Sequence, residues 1–561
     1  MPDIRFNRFY RHAELTALLQ AYAQEYPQLA SLESIGQSHE GRDIWVLTLT
    51  NRATGTAADK PAFWVDGNIH ATEVTASVAN MYLIHTLLGQ YGQDAEITRA
   101  LDTRAFYVCP RINPDGAEAA LADQPKYVRS SMRPYPFDED TVEGLTPEDI
   151  DGDGRILSMR LRDDNGPWKK CAQDPRLMVR RDPTEVGGEY YRVVPEGRVK
   201  AYDGVTFGIA KPKQGLDLNR NFPAAWRQEF EQLGAGDFPG SEPEVQALLR
   251  FFTSHNNING AVTFHTWSGV LLRPFDHSPD TDMHAEDLWV YQAMGKKGTE
   301  LTGYPAISTY HDFRYHPKQV ITGGFDWIYE HLGMYCWVVE VWSPQREAGI
   351  EKYAYIDWFR DHPVEDDLKL IQWSDKTLGG AGFVDWHPFD HPDLGQVEIG
   401  GWNKFHAFSN PPPAFLEKEV ARFPRWVLWQ ALLSPKLELH STEVKALGQD
   451  TWRVRLVVQN SGWLPSYGSK RALERKMVRG LIAEIDLPAG AELVFGKARE
   501  ELGQLEGRNH LHTSVSFWPD FAPTGDRVKI EWVVSAPAGS ALHLTAKQDR
   551  AGVVRAELRL M

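Results

Sequence analysis

The stretch Gly67-Asn68-Ile69-His70-Ala71-Thr72-Glu73 places an imidazole and a carboxylate three residues apart, close enough to grip one metal ion from a single loop. The spacing alone decides nothing. His-x-x-Glu recurs at His362/Glu365 and His440/Glu443, and His-x-x-Asp at His277/Asp280, His284/Asp287 and His387/Asp390. What distinguishes the first pair is its place after the apolar run Ala62-Phe63-Trp64-Val65, because in an open α/β sheet ligands collect beyond the carboxyl ends of the strands. His265 ends the run Ala261-Val262-Thr263-Phe264, and Glu340 is the only acid between Met334 and Trp342. Asn113 and Asp115 follow a fourth such run. Two histidines and one carboxylate suffice for a catalytic zinc that keeps its fourth position open, so His70, Glu73 and His265 are the expected ligands. Glu340 is then a spare carboxylate beside activated water, the position of a general base. The five other pairs lie beside prolines, in a charged loop or in the β-rich tail.

A second group, Asn219 and Arg220 in Leu216-Asp217-Leu218-Asn219-Arg220-Asn221-Phe222-Pro223, could hold a substrate carboxylate, since a guanidinium fork matches two oxygens and an amide adds a donor. A structural salt bridge is the alternative. A third, Asp149-Ile150-Asp151-Gly152-Asp153-Gly154, fits the opening of a calcium loop, but position twelve is Arg160 rather than Glu. A structural calcium site built on Asp149, Asp151 and Asp153 and a solvated acidic turn are equally consistent with it.

The elements that must position these groups alternate helical patterns with short apolar runs over the first 375 residues, which points to an α/β domain with a parallel or mixed sheet covered on both faces. Residues 120–215 interrupt the rhythm with a polar, Pro- and Asp-rich insertion expected to have little regular structure and to wall the cleft. Residues 376–435 are rich in Gly and Pro and read as a connector. Residues 436–561 change to short alternating runs closed by Gly, Pro or Asn, the pattern of an all-β, immunoglobulin-like sandwich domain. That tail is a candidate lid, dimerisation surface for a homo-oligomer, or substrate-docking module.

Composition narrows the function. With 561 residues, 42% of them hydrophobic, the chain can bury two or three cores. A formal charge of -16 repels a phosphate backbone and anionic membranes, so neither nucleic acid nor membrane is expected as a partner. The amino-terminal segment lacks the apolar stretch of a signal peptide, and three scattered cysteines make a disulfide framework improbable; a cytoplasmic protein is expected.

Seven segments in one order carry a family resemblance: the region around residues 26–49, Gly67–Glu73, Arg111-Ile112-Asn113-Pro114-Asp115-Gly116, residues 216–223, residues 240–248, residues 260–275 and residues 322–342. Over roughly residues 5–375 the chain resembles the zinc carboxypeptidases, the group that includes the pancreatic enzymes. The resemblance implies a mixed eight-stranded sheet, zinc on His70, Glu73 and His265, Glu340 as base, Asn219 and Arg220 for the terminal carboxylate, and Phe325 in the pocket for the C-terminal side chain, with an apolar preference. It also implies an oxyanion-stabilising arginine about a dozen residues beyond Asn-Pro-Asp-Gly; Arg129 and Arg133 both stand near that register, and Arg129 is the closer candidate.

Three positions depart from the digestive members. Thr72 stands where they have an arginine; the arginine register is shared between two residues; and Gln319 and Val320 stand where a substrate-capping tyrosine is expected, with Tyr310 and Tyr315 at a distance. The expected function is therefore zinc-dependent removal of C-terminal residues from peptides, with an amidase or endopeptidase acting on cell-wall peptides or small amides as one alternative and a non-catalytic peptide-binding module as another.

Overall fold

A computed structural model of the chain describes residues 1–136, 143–313, 321–510, 515 and 522–561. Its centre is one eight-stranded sheet, whose strands are numbered here in chain order: β1 (Ala30–Gln37), β2 (Asp43–Leu49), β3 (Ala62–Gly67), β4 (Ala105–Cys109), β5 (Ile258–Thr266), β6 (Val270–Arg273), β7 (Ala306–Ser308) and β8 (Tyr335–Val341). Their spatial order is β1-β2-β4-β3-β5-β8-β6-β7. The four central strands β4, β3, β5 and β8 run parallel, while β2 and β6 flank them antiparallel.

The central strands are buried along their whole length, which is why they read as continuous apolar runs. Successive side chains serve opposite faces. Phe63 and Val65 join Val262, Phe264, Trp337 and Val339 in a core covered by the helices Thr75–Gln90 and Ala285–Thr302. Ala62 and Trp64 join Tyr107, Cys336 and Val338 in a second core covered by the helices Pro243–Ser254 and Gly324–Leu332. Among the described residues no helix is long and apolar enough to cross a membrane. The three cysteines are buried and unpaired.

Residues 120–215 and 376–435 differ from their expected characters. Strands Ser158–Arg162, Trp168–Lys170, Met178–Arg180 and Tyr191–Pro195 from the first combine with Phe383–His391 and Gly395–Trp402 from the second in one six-stranded sheet. The helix Pro424–Leu433 buries Trp426, Val427 and Leu428 in the first main core. The segment read as a connector is thus built into the body of the first domain. Its Gly and Pro content masked it because the ladder partners Ile399↔Met159 lie more than two hundred residues apart, beyond any local pattern.

The tail forms two four-stranded antiparallel sheets that share one apolar core, with Trp452, Val454, Leu456 and Trp532 from one sheet meeting Ala483, Ile485, Leu542 and Leu544 from the other. Strand Thr451–Asn460 shows strict alternation of buried and half-buried residues, the period-2 pattern of a strand with one face inward. This domain is locked to the one built on the eight-stranded sheet. Asp287, almost wholly buried, accepts the Lys470 and Arg471 amides at 2.8 and 3.0 Å and the hydroxyls of Tyr329 and Tyr335 at 2.9 and 2.8 Å. Arg550 donates to the carbonyls of Leu332 and Gly333, capping the C-terminal end of the helix Gly324–Leu332.

Candidate active site

The loop after β3 is shaped to present His70. A side chain on Gly67 would meet Asn80 and Ala76 at 2.8 and 2.9 Å, so the chain passes directly under the helix Thr75–Gln90. Asn68 then turns in the left-handed region (φ 58°), and its amide donates to the His70 carbonyl at 2.7 Å. Asn113 donates to the carbonyls of Ile69 and Ser130, and the Ala71 amide donates to the Arg129 carbonyl at 3.1 Å, which fixes Arg129 beside the loop. Asp115 faces the other way, accepting from Ser38, Glu40 and Arg42. Both residues after the fourth apolar run are therefore structural.

His70, Glu73 and His265 converge although 195 residues separate the two histidines. Glu73 Oε1 lies 2.8 Å from His70 Nδ1 and its Oε2 3.0 Å from His265 Nδ1; the two Nδ1 atoms are 3.1 Å apart. All three side chains are buried. Burial alone would raise the Glu73 carboxyl, but the two imidazoles pull it well below the ordinary range, while burial lowers His265 towards its neutral form. An ionised carboxylate and a neutral imidazole are the forms a metal requires. The donor set fits zinc, with three protein side chains and one side left open towards Arg129 and Glu340.

Asp217, absent from the sequence-based site, completes the arrangement. Its Oδ1 lies 3.3 Å from His70 Nε2, the nitrogen facing away from the donor cluster, and its Oδ2 accepts from Arg129 Nε at 2.9 Å. Arg129, Arg220 and His70 hold this buried carboxylate well below its usual range against the pull of burial. The signal was available, since Asp217 stands two residues before Asn219 in a run already singled out. Only the fold shows that it reaches His70.

Glu340 shares the cleft with the cluster. Burial and the nearby Glu73 push its carboxyl well above the usual range, with Arg129 opposing. Arg129 is 43% exposed and 3.7 Å from Glu73 Oε1. Arg133 is instead committed to Glu242 at 2.8 Å and to Asp237. Two cavities meet at this point. One is lined by Arg129, Asn219, Arg220, Phe325 and Glu340, the other by Thr72, Arg129, Trp267, Phe359 and Glu340. The Asn219 Oδ1 accepts the Gly324 amide at 2.8 Å, tying the helix that carries Phe325 to the Asn219–Arg220 turn.

The remaining expected groups fall elsewhere. His277, His362 and His387 pair with Glu330, Asp367 and Asp151. Asp149, Asp151 and Asp153 do cluster, but their oxygens accept from the loop's own amides, from Arg155 and from His387. Tyr310 lies on the short helix Thr309–Asp312, whereas Tyr315, Gln319 and Val320 lie outside the described residues.

Residues 15–359, more than half of the chain, match the zinc carboxypeptidase family. The chain belongs to that family. As a zinc carboxypeptidase it is a metal-dependent peptide hydrolase. Carboxypeptidase B of Astacus astacus is 36% identical over 391 residues, covering 67% of this chain and 95% of the relative. Carboxypeptidase A2 of Rattus norvegicus is 23% identical over 400 residues, covering 70% and 72%. Among solved structures, carboxypeptidase A of Helicoverpa armigera superposes with a TM-score of 0.39 at 16% identity, covering 67% of this chain and 75% of that one. Residues 436–559 match a domain of unknown function (DUF8731).

Proposed function

We propose that this zinc carboxypeptidase removes single residues from the free C-terminus of peptides, with His70, Glu73 and His265 as its metal ligands. The observation that carries the reading is the convergence of these three buried side chains within one cleft that also holds Glu340, Arg129, Asn219 and Arg220. Zinc, when bound there, supplies Lewis-acid polarisation of a carbonyl and lowers the pKa of coordinated water towards ~7.

The chain's own groups do the rest. Glu340, buried in the cleft, takes a proton from the attacking water when in its ionised form, which the nearby Arg129 favours against burial and Glu73, and returns it to the departing amine. Arg129 reaches the junction of the two cavities, where the carbonyl oxygen gains charge, and stabilises it there. Asn219 and Arg220 line the cavity beyond Glu340 and hold the terminal carboxylate by paired N–H donors. Trp267 and Phe359, 4.3 Å apart by ring centroids, give the other cavity an aromatic wall against the residue upstream of the cut bond. Thr72 faces this second cavity in place of a cation, which leaves the upstream side without a charge requirement.

Paired peptides with free and amidated C-termini, incubated with and without a chelator and read by mass spectrometry, test the reading. Chelator-sensitive loss of one residue from the free-acid peptide alone is expected. Equal cleavage of both forms points instead to the amidase or endopeptidase alternative.

A further inference from the structure

The helix Thr75–Gln90 begins two residues after Glu73, and no side chain of its own caps it, because Val74 stands at the capping position. Asn410 supplies the cap from 335 residues away. Its Oδ1 accepts the Thr75 amide at 3.0 Å and the Thr75 hydroxyl at 2.8 Å, while its Nδ2 donates to the Thr72 carbonyl at 2.8 Å. One wholly buried amide group thus grips the chain on both sides of Glu73.

Asn410 is in turn fixed by the π-helical turn Lys404–Ser409, in the segment whose Gly and Pro content reads as a connector. Its backbone and side-chain nitrogens both donate to the Phe405 carbonyl, at 3.0 and 3.1 Å. Phe405 packs with Val74 in one apolar cluster, so the residue between Glu73 and Thr75 is held by the same turn. The turn also reaches the end of β8. There the Trp342 indole donates to the Ala407 carbonyl at 2.8 Å, two residues beyond Glu340, and Trp342 keeps a left-handed backbone (φ 84°) that persists where surrounding contacts hold it. A single turn is therefore tied both to the loop that presents Glu73 and to the strand that presents Glu340.

We propose that Asn410 is a positioning residue for the metal site, setting the loop so that the Glu73 carboxylate meets His70 and His265. The inference rests on the reading of Glu73 as a metal ligand. Without the Asn410 side chain the Thr75 amide and the Thr72 carbonyl are left buried and unpaired, and the loop shifts to find other partners, taking Glu73 with it.

The test measures zinc affinity of the full chain by competition with a chromogenic chelator, so no peptide enters it. Glu73→Gln is the reference and should lose affinity outright. Asn410→Ala should weaken zinc binding about 10–100-fold, the loss usual for a group that orients a ligand, and should change the visible spectrum of the cobalt-loaded chain. Thr75→Val deletes only the hydroxyl bond to Asn410, should weaken zinc about fivefold, and serves if Asn410→Ala does not fold. Asn403→Ala is the control for a role confined to folding, since Asn403 caps the same turn at its other end by accepting the His406 amide at 3.2 Å. It should lower the melting temperature of the metal-free chain and leave zinc affinity at the parent's value. Parent-like affinity in Asn410→Ala and Thr75→Val, or an equal loss in Asn403→Ala, overturns the role of Asn410 while the loss in Glu73→Gln leaves the metal site standing. Parent-like affinity in Glu73→Gln overturns the ligand assignment and the positioning role together. Should the zinc results come out as expected and no C-terminal residue be removed from any peptide, the role of Asn410 stands and the carboxypeptidase reading alone fails.

Discussion

Asp217 joins His70 to Arg129: one oxygen lies 3.3 Å from His70 Nε2 and the other accepts from Arg129 Nε at 2.9 Å. A single buried carboxylate thus lies between the imidazole proposed as a metal ligand and the cation across the cleft. Holding the far nitrogen of a ligating histidine fixes its tautomer and ring direction, and losing such a partner typically weakens metal affinity by 10–100-fold. Asp217→Asn should lower zinc affinity by about that factor and lower turnover at full zinc occupancy as well, because Arg129 loses its anchor. Competition with a chromogenic chelator measures the first effect. Unchanged affinity and turnover would leave Asp217 a merely structural cap on the turn that follows it.

The two arginines near the same register are separated by their partners. Arg133 is spent on Glu242 at the margin, while Arg129 lines both cavities. Arg129→Ala should reduce kcat by about 10²–10³-fold with a smaller change in KM, as for loss of an oxyanion donor. Arg133→Ala should change kcat by less than about fivefold. Steady-state kinetics with the reverse order of effects would reassign the oxyanion role to Arg133.

Much of this site was legible in the sequence, and for a stated reason. His265 and Glu340 lie at the ends of two strands of one parallel array and His70 and Glu73 in the loop that follows a third, and a parallel array brings the ends of its strands to one edge whatever their separation along the chain. The eight-stranded sheet was legible for the same cause, since its central strands are buried on both faces. Asp217 was not. It terminates no apolar run in the ladder and stands in a loop whose course depends on contacts from elsewhere. The six-stranded sheet was hidden because its strands come from two segments whose pairing leaves no local trace.

Glu244 provides a pH test of the fold that is independent of the metal. It lies fully buried at the start of the helix Pro243–Ser254, with Oε1 accepting the His39 amide at 2.8 Å and Oε2 without a partner. Burial, followed by Asp115 and Glu242, raises it to about 7. A carboxyl raised on folding contributes stability that is present below its unfolded value, ~4.3, and is lost as pH rises through the folded one. Glu244→Gln should therefore match the parent near pH 4 and exceed it at pH 8 by about 1–3 kcal/mol. Denaturant melts at the two pH values decide it; a variant less stable at pH 8 would show that the carboxylate is ionised and favourably held.

The tail is held to the helix that carries Phe325, through Arg550, and to β8, which carries Glu340, through the Asp287 contact with Tyr335. Asp287→Asn leaves at least one of four donors facing an amide group and should cost about 2–4 kcal/mol of stability. It should also speed proteolytic release of residues 436–561. A variant with the parent's melting temperature and cleavage pattern would show that the domain docks by apolar contact instead.

The assignment of Glu340 as the base beside a three-residue metal site is tested most directly by Glu340→Gln, which keeps the side chain's size and removes its ability to take a proton. Zinc content and hydrolysis of a free-acid peptide should be measured on the same sample. One zinc per chain with turnover reduced by at least about 10³-fold is the expected result. Full zinc occupancy with turnover near that of the parent would contradict the account.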